Sequence, residues 1–279
     1  MDRTANIGDI AIIGNGGFPR KKAIYGFICK CRLVIFCDGA FSRFTAAKDT
    51  YGLKDRILSL PCIVTGDMDS IKPEMKGFLS AKGVLKPNPD QETNDQTKAF
   101  ETAMDWISED IRRRPHTAAA SAPDNAQDIP DNAPDVPNNA LGVPDNAPAS
   151  YRYRINFIGA TGLREDHTIG NMGLLMEYAG HKAVKDGQVS LRMISDYCIA
   201  FPMTGSGSFE CGTGRAVSVF SPDSSLRLVS DGLQWQTENV RFTNWWQATL
   251  NRSSKERVAL EFSHPSKVLV TLDFRPSDL

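Results

Sequence analysis

The chain has 279 residues, of which 41% are hydrophobic, and this is enough for one large or two ordinary domains with buried cores. Its 32 basic and 33 acidic residues leave a net charge of −1, which excludes the broad positive field of a protein that gathers nucleic acid or anionic membranes. No apolar run approaches the ~20 residues of a membrane span, and the start MDRTANIGD has no signal-peptide pattern. We therefore expect a cytoplasmic protein.

Strands and helices alternate over the first third of the chain. A strand at 9–14 (DIAIIG) precedes the loop GNGGFP, and a segment through Ile28 leads to a strand at 33–37 (LVIFC). An amphipathic stretch from Phe41 then precedes a predicted buried strand at 57–64 (ILSLPCIV). This alternation indicates a parallel sheet of the α/β class.

The loop that follows the first strand, GNGGFP, does not fit the known nucleotide-binding patterns. It is not GxGxxG, so a dinucleotide site of the Rossmann type has weak support, and the chain contains no GxxxxGK[ST] sequence, which excludes a P-loop. We expect its backbone N–H groups to be available to a phosphate.

A long amphipathic helix is predicted from Asp95 to Arg113. Apolar side chains recur at spacings of four, three and four residues along it, which places them on one helical face. Asn94 or Asp95 is expected to cap its amino end.

Residues 115–150 differ sharply in composition from the rest of the chain. They consist mainly of Pro, Asp, Asn and Ala, in repeats of seven residues that begin at Pro123, Pro130, Pro137 and Pro144. A proline in each repeat excludes a coiled coil, since each would cost a helix about 3 kcal/mol. We expect a disordered, solvated insertion in place of a binding segment.

Order is predicted to resume at Arg152, with a strand (YRINFIGA), the loop TGLREDHTIGN and a helix to about His181. Beyond Gln188 the pattern changes to short alternating strands, which predict a β-sandwich or barrel-like domain. We expect an α/β domain at 1–186 and an all-β domain at 189–279. The predicted strands of the second domain are SLRMIS, YCIAFPM, GRAVSVF, LRLVSD, ALEF and KVLVTLDF.

The six cysteines are scattered and have no paired CxxC spacing, so we expect buried free thiols. Cys29 and Cys31 would share one face of a strand, but their spacing does not match a zinc knuckle.

Acidic residues follow three predicted strands and open one helix. They are Asp38, the pair Asp67 and Asp69 in TGDMDSI, Asp166 beside His167, and the run DQETNDQTK that contains Asp95. Parallel strands bring such positions to one edge, where ligands bind. Carboxylates that meet there repel each other by about 1 to 4 kcal/mol per close pair, which a bound cation would offset.

Oxygen ligands favour Mg²⁺, which usually shares its coordination with phosphate, and Lys98 and Arg164 supply positive charge at the same junctions. The sequence therefore predicts a polyphosphate or nucleotide site. Each residue also has an ordinary structural interpretation: Asp38 as a turn or cap residue, GDMDS as a chance loop pair, and His167 as a core histidine. Their joint occurrence at element boundaries favours the site.

Four motifs in order resemble those of the thiamine pyrophosphokinase family. CDGAFSR at 37–43 resembles ADGGANR, TGDMDSI resembles GDxDSI, DQETNDQTK resembles DQxxTDxxK, and GATGLREDHTIGN resembles GxxGGRxDHxxxN. In the second predicted domain, DGLQW at 231–235 is similar to the family's GLxW or GLxY segment. The likeness covers nearly the whole chain except the insertion.

The resemblance implies a Rossmann-like, ATP-binding catalytic domain followed by an all-β thiamine-binding domain. The implied reaction transfers the pyrophosphoryl group of ATP to the thiamine hydroxyl, with Mg²⁺, and yields thiamine diphosphate and AMP. It also implies a homodimer in which the active site is shared between subunits.

The resemblance further implies roles for individual residues. Magnesium would be held by Asp67, Asp69 and Asp95, and the catalytic residues would be Asp69, Asp95, Asp166 and His167, with the general base left open between Asp166 and His167. Thiamine would contact Trp235, unless this is a core residue, and Asn251. The nucleotide would contact Asp38, Gly39, Ser42, Lys98, Arg164 and Asn171.

Several positions depart from the family's motifs, namely Ser42, Leu163, Asn94 and Leu250. None of these departures removes an acidic residue, so the metal chemistry is expected to persist. Two other functions use similar residues: a metal-dependent phosphoesterase, and a non-enzymatic sensor of nucleotide or thiamine diphosphate.

Overall fold

A computed structural model of the chain describes residues 7–113 and 153–279. The predicted insertion at 115–150 lies outside these ranges. The first part of the chain supplies the strands β1 (Gly8–Ile13), β2 (Leu33–Cys37), β3 (Cys62–Gly66), β4 (Leu85–Pro87), β5 (Tyr153–Ile158) and β6 (Val189–Ile194). Between them lie the helices α1 (Lys22–Ile28), α2 (Ala40–Ala46), α3 (Lys54–Leu58), α4 (Pro73–Ala81), α5 (Asp95–Arg113), α6 (Glu165–Tyr178) and α7 (Lys182–Lys185).

The last part of the chain is rich in strands and ends in a short 3₁₀ helix, Pro276–Asp278. Its strands are β7 (Cys198–Met203), β8 (Gly207–Glu210), β9 (Ala216–Phe220), β10 (Leu228–Asp231), β11 (Ala248–Arg252), β12 (Arg257–Phe262) and β13 (Val268–Asp273).

One ten-stranded sheet runs through both parts, in the order β11-β9-β13-β7-β6-β5-β1-β2-β3-β4. From β6 to β4 all neighbouring strands pair in parallel, whereas β6, β7, β13, β9 and β11 pair antiparallel with one another in that order. A second sheet, β10-β12-β8, is antiparallel. The expected fold class, a parallel α/β sheet followed by a strand-rich sandwich, is confirmed.

Two cores cover the two faces of the large sheet. On one face, residues of α1 and α2 join the residues that face the three-stranded sheet in a continuous cluster, in which Phe201 of β7 meets Phe209 of β8 edge-on at 5.3 Å. On the other face α5 and α6 pack together, and Phe100 stacks on Tyr178 at 4.3 Å between ring centroids. Burying one face of each helix is what their apolar spacing requires.

The structure corrects the predicted strand at 57–64. Residues up to Leu58 belong to α3, Pro61 follows, and the strand begins only at Cys62. A short apolar run fits a helix as well as a strand, and here Ile57 is buried from a helix. The strands β4, β8 and β11 were not predicted, since each is short or polar.

The amino end of α5 agrees with its sequence. Asn94 Oδ1 accepts the backbone N–H of Thr97 at 2.9 Å, so Asn94 is the N-cap and Asp95 is the first helical residue. This places Asp95 and, one turn later, Lys98 at the edge of the sheet.

The first predicted strand of the all-β domain, SLRMIS at 190–195, corresponds to β6 (Val189–Ile194), which pairs in parallel with β5 and so extends the α/β sheet. The division of the chain at 186–189 stays a prediction. All six cysteines are free thiols, of which Cys62 and Cys198 are half-buried and the others buried. Among the described residues no helix has both the length and the apolar character needed to cross a membrane, and the cytoplasmic location also stays a prediction.

Candidate functional site

The carboxyl ends of β2 and β3 approach each other closely because Gly66 ends β3. Its φ is +147°, which favours glycine, and a Cβ added there would lie 2.7 Å from Asp38 Cβ. Asp38 directly follows β2 and Asp67 directly follows β3, so this close approach brings their carboxylates to one corner of the sheet edge.

Three carboxylates meet at this corner, which we call the acidic corner: Asp38, Asp67 and Asp69. One oxygen from each lies within 4.8 Å of the other two. Asp38 is only 2% exposed; its Oδ2 accepts the N–H of Ser70 at 3.1 Å, and its Oδ1 is buried without a hydrogen-bond partner in the described part of the chain. A buried carboxylate oxygen left without a partner costs about 1 to 3 kcal/mol, unless a ligand supplies the contact.

Asp95 lies beside the acidic corner. A Cβ at Gly66 would lie 3.1 Å from Asp95 Oδ1, and Lys98 Nζ is 3.9 Å from the same oxygen. Burial, and then the charges of Asp38 and Asp67, raise the pKa of Asp95 to about 6, although Lys98 opposes the shift. The corner therefore holds more negative charge than its single buried lysine balances.

The donor set of the acidic corner fits a magnesium ion. It consists of carboxylate oxygens, which Mg²⁺ prefers, and Asp38 Oδ1 provides an unsatisfied ligand atom. The N–H of Asp69 donates to Asp67 Oδ1 at 3.2 Å and lowers the pKa of Asp67, which keeps that carboxylate ionised. Backbone strain is present as well: Asp38 has φ 25° and Met68 has φ 69°, values that L-residues rarely adopt.

A cleft of about 500 Å³ adjoins the corner at the carboxyl ends of β1, β2 and β5. Its size suits a nucleotide or similar ligand. The sequence-predicted residues that line it are Asp95, Arg164, Asp166, His167 and Asn171. The structure therefore brings the amino ends of α5 and α6 to one cavity, as the positions of their motifs predict.

Arg164 and Asp166 form an ion pair at the outer rim of the cleft. Arg164 Nη2 lies 2.5 Å from Asp166 Oδ2 and Nε lies 3.1 Å from Oδ1, with both side chains largely exposed. The guanidinium lowers the pKa of Asp166, so this carboxylate is a weaker proton acceptor than a free one. His167 is exposed and lines the cleft, so its interpretation as a core histidine is wrong.

Asn171 has a supporting position in the cleft wall. Its Nδ2 donates to Ala160 O at 2.7 Å, and its backbone carbonyl accepts from Gln96 Nε2 at 3.1 Å. These two hydrogen bonds connect α5 to α6 and α6 to the loop after β5.

The glycine-rich loop after β1 lines the cleft but does not offer the N–H groups expected of it. Gly14, Gly16 and Gly17 donate their N–H groups to the carbonyls of residues 158, 159 and 161 at 2.6–2.7 Å. A Cβ at Gly16 would lie 2.5 Å from Gly159 O, so the two loops need glycine to pack this closely. The expectation that these three amides are available to a phosphate is wrong.

Two further predicted nucleotide residues lie on α2 or just before it. Gly39 faces Asn15, because a Cβ there would lie 3.0 Å from Asn15 Nδ2 and from Ser70 Cβ. Ser42 is half-buried on α2 and is not among the residues that line the cleft.

The predicted thiamine residues, Trp235 and Asn251, meet each other but not this cleft. Asn251 Oδ1 accepts the N–H of Trp235 at 3.2 Å, and its Nδ2 donates to Trp235 O at 2.6 Å. Trp235 is 55% exposed, so the interpretation as a core residue is wrong. Trp245, Trp246 and Leu250 are also exposed, and Leu250 has φ 59°.

Sequence reasoning missed three side chains around the cleft: Asn15, Arg43 and Gln96. Gln96 is buried in the first turn of α5, and Asn15 and Arg43 contact each other across the cleft wall. The motif CDGAFSR contains Arg43, but nothing in the sequence alone pairs it with a loop 28 residues earlier.

Comparison with known proteins gives one consistent family. Residues 26–185 match the model of the "Thiamin pyrophosphokinase, catalytic domain" and residues 199–270 that of the "Thiamin pyrophosphokinase, substrate-binding domain". The chain is 24% identical over 226 residues to thiamine pyrophosphokinase 1 of Oryza sativa subsp. japonica, a match that covers 76% of this chain and 67% of that protein.

Solved structures resemble the chain in fold. Thiamin pyrophosphokinase from Candida albicans superposes with a TM-score of 0.67 at 16% identity, over 96% of this chain and 90% of that one. The yeast enzyme gives 0.68 at 14% identity, over 99% and 89%. The Bacillus subtilis enzyme gives 0.57 at 16% identity, over 95% and 98%.

Proposed function

The chain belongs to the thiamin pyrophosphokinase family, and on that premise we propose that it transfers the β,γ-pyrophosphoryl group of ATP to the hydroxyl oxygen of thiamine. The products are thiamine diphosphate and AMP, which makes the protein a transferase. One observation in the structure supports this proposal most: the acidic corner and Asp95 adjoin a nucleotide-sized cleft at the carboxyl edge of a parallel sheet.

We propose Mg²⁺ as the metal. Asp67, Asp69 and Asp95 would hold it, as predicted from the motifs, and the unpartnered Oδ1 of Asp38 adds a fourth candidate ligand. Bound there, the ion would offset the negative charge that ATP's phosphates carry and develop during transfer.

Positioning by the protein would supply much of the remaining catalysis. Lys98 and Arg164 are the proposed phosphate contacts, and Asn171 would contact the nucleotide from the cleft wall, whereas Asp38, Gly39 and Ser42, which do not line the cleft, would act on the nucleotide pocket from behind its lining. For the proton of the attacking hydroxyl, His167 is favoured over Asp166, because its imidazole lines the cleft and makes no hydrogen bond within the described residues. Asp166 is instead engaged by Arg164.

Thiamine is proposed to bind on the face of Trp235, since an indole ring attracts a thiazolium cation by about 0.5 to 2 kcal/mol. Asn251 would hold the Trp235 backbone in place through its two hydrogen bonds. Because the described residues that line the cleft of one chain all lie between 12 and 171, we propose a homodimer in which Trp235 of one subunit faces the cleft of the other.

A single assay tests the proposed reaction. Purified protein is incubated with ATP, Mg²⁺ and thiamine, and the nucleotide products and thiamine diphosphate are followed together. AMP and thiamine diphosphate are expected to accumulate in equal amounts. ADP as the coupled product would contradict pyrophosphoryl transfer, ATP hydrolysis without thiamine would favour a phosphoesterase, and binding without product would favour a sensor.

The shared site is tested by mixing two inactive variants. A subunit with Asp69→Asn lacks a metal ligand and one with Trp235→Ala lacks the thiamine platform, so each homodimer should be inactive. A mixed dimer has one site with both intact residues and should regain activity on co-expression. Absence of any recovery in a verified heterodimer would contradict a site shared in this way.

A further inference from the structure

Within the described part of the chain, Arg164 lines the cleft, Lys98 lies beside Asp95, and Arg43 contacts the lining residues Asn15 and Gly16. Lys98 and Arg164 are already paired with carboxylates. Lys98 is 2% exposed and lies 3.9 Å from Asp95, and Arg164 makes two contacts with Asp166. A cation held in such a pair must break its contact with the carboxylate before it can bind a phosphate. The free energy of the broken ion pair then offsets part of the free energy of phosphate binding.

Arg43, on α2, is the third cation and has no ion pair within the described residues. Its Nη1 donates to Asn15 Oδ1 at 2.8 Å, to Gly16 O at 3.1 Å and to Asn15 O. Its guanidinium carbon lies 4.8 Å from the ring centre of Phe18. No hydrogen bond within the described ranges uses its Nε or Nη2, and the side chain is exposed.

The partners of Arg43 connect it to the acidic corner. Asn15 and Gly16 line the cleft, and a Cβ added at Gly39 would lie 3.0 Å from both Asn15 Nδ2 and Ser70 Cβ. Ser70 in turn donates its backbone N–H to Asp38 Oδ2. Arg43 is therefore connected to the acidic corner through Asn15, Gly39 and Ser70.

We propose that Arg43 is a further substrate-binding residue, which donates from Nε and Nη2 to the phosphate oxygens of ATP. These two N–H groups of the guanidinium form a fork that can donate parallel hydrogen bonds to two oxygens of one phosphate. Anchoring through Nη1 and the Phe18 ring fixes the side chain in advance, so less conformational entropy is lost when phosphate binds. A cation held on the loop that lines the cleft would let one polyphosphate chain contact both Arg43 and the acidic corner. This inference rests on the proposed function, since it takes ATP as the ligand.

The test compares two probes that divide ATP into parts. Binding of tripolyphosphate with Mg²⁺, and separately of adenosine, is measured on the full chain by displacement of a fluorescent ATP analogue. Arg43→Gln should weaken tripolyphosphate binding about 10- to 100-fold, as expected for loss of charge-assisted hydrogen bonds, and leave adenosine binding unchanged. Arg43→Lys keeps the charge without the fork and should recover part of the loss.

Arg56→Gln is the matched control, because Arg56 is an exposed arginine on α3, away from the cleft, and its loss changes net charge equally. Equal losses for tripolyphosphate and adenosine in Arg43→Gln would show that Arg43 only positions the loop, and unchanged tripolyphosphate binding would also overturn the proposal. If Arg43→Gln does not fold, the same comparison is made with Arg43→Lys, which must still weaken tripolyphosphate alone. Both probes measure binding and need no turnover, so the role of Arg43 and the proposed reaction are tested separately. A wild-type protein that binds tripolyphosphate through Arg43 but forms no AMP would contradict only the proposed reaction.

Discussion

Two groups of charged residues lie on the same parallel sheet, one on β1, β5 and β6 and the other after the carboxyl ends of β2 and β3, and they are built in different ways. On β1, β5 and β6, Arg154 holds Asp9 through two bonds of 2.8 and 3.0 Å, and the buried Arg192 donates to Asn156 at 2.5 Å and to Asp278 O at 2.7 Å. At the carboxyl ends, the acidic corner and Asp95 bring like charges together with one lysine nearby.

The difference shows what each group is for. Arg154 and Asp9 are matched within the chain, because an unmatched buried charge destabilises the native state. Arg192 is held by two neutral acceptors, and its Nη2 has no hydrogen-bond partner within the described residues. The acidic corner carries such a mismatch, which the proposed Mg²⁺ would offset. A site that stays incomplete without its ligand stores unfavourable energy in the free protein.

The largest expected effect comes from breaking the acidic corner. Asp69→Asn keeps the shape of the side chain but removes a ligand charge, so the rate of pyrophosphoryl transfer should fall by about 10²- to 10⁴-fold. The melting temperature should not fall, because the change also removes repulsion. Asp55→Asn, on exposed α3, is the control and should have the wild-type rate in the same AMP-release assay. A near-normal rate for Asp69→Asn would remove this residue from the metal site.

Removing the buried Arg192 side chain should lower the stability of the fold and leave catalysis unchanged. Arg192→Met leaves Asn156 Oδ1 and Asp278 O without their donor inside the protein, so we expect a loss of about 3 kcal/mol in the free energy of unfolding, measured by urea denaturation. The KM for ATP of the folded fraction should stay unchanged. Arg241→Met, at an exposed position, should be neutral in both measurements. A changed KM with unchanged stability would contradict a purely structural role for Arg192.

The smallest expected effect concerns the pH dependence of stability at Asp95. Because the folded state raises its pKa from 3.8 to about 6, the folded protein binds this proton more tightly than the unfolded chain. Ionised Asp95 therefore costs stability above about pH 6, and this cost disappears as the pH falls towards 4. Asp95 is partly exposed, so the cost after solvent screening is about 1 kcal/mol.

Asp95→Asn should accordingly raise the melting temperature at pH 8 but not at pH 4.5, without Mg²⁺, and addition of Mg²⁺ should stabilise the wild type more than the variant. Asp105→Asn, on the exposed face of the same helix, is the control and should show neither effect. An equal change in melting temperature at both pH values would show that the effect of Asp95→Asn does not come from the charge of Asp95.

Much of the fold was readable from local patterns. The spacing in α5, the alternation of strands and helices before β3 and the short strands after Gln188 all predict what the structure contains. The strand at 57–64 was predicted wrongly because ILSLPCIV is too short for periodicity to separate helix from strand. β8 and β11 were missed because GSFE is only four residues long and ATLNR is too polar to give a strand pattern.

The acidic residues, their order and their positions at element boundaries were determined by the sequence itself, since residue type and local spacing define them. Only the tertiary structure decided which of them meet. The close approach at Gly66 adds Asp38 to Asp67 and Asp69, and Arg164 pairs with Asp166 whereas Arg43, which holds the cleft loop, has no ion pair within the described residues. The contacts of Asp38 with Gly66 and of Arg43 with Asn15 join residues far apart in the chain, and the packing of strands and loops sets the distances on which charge interactions depend.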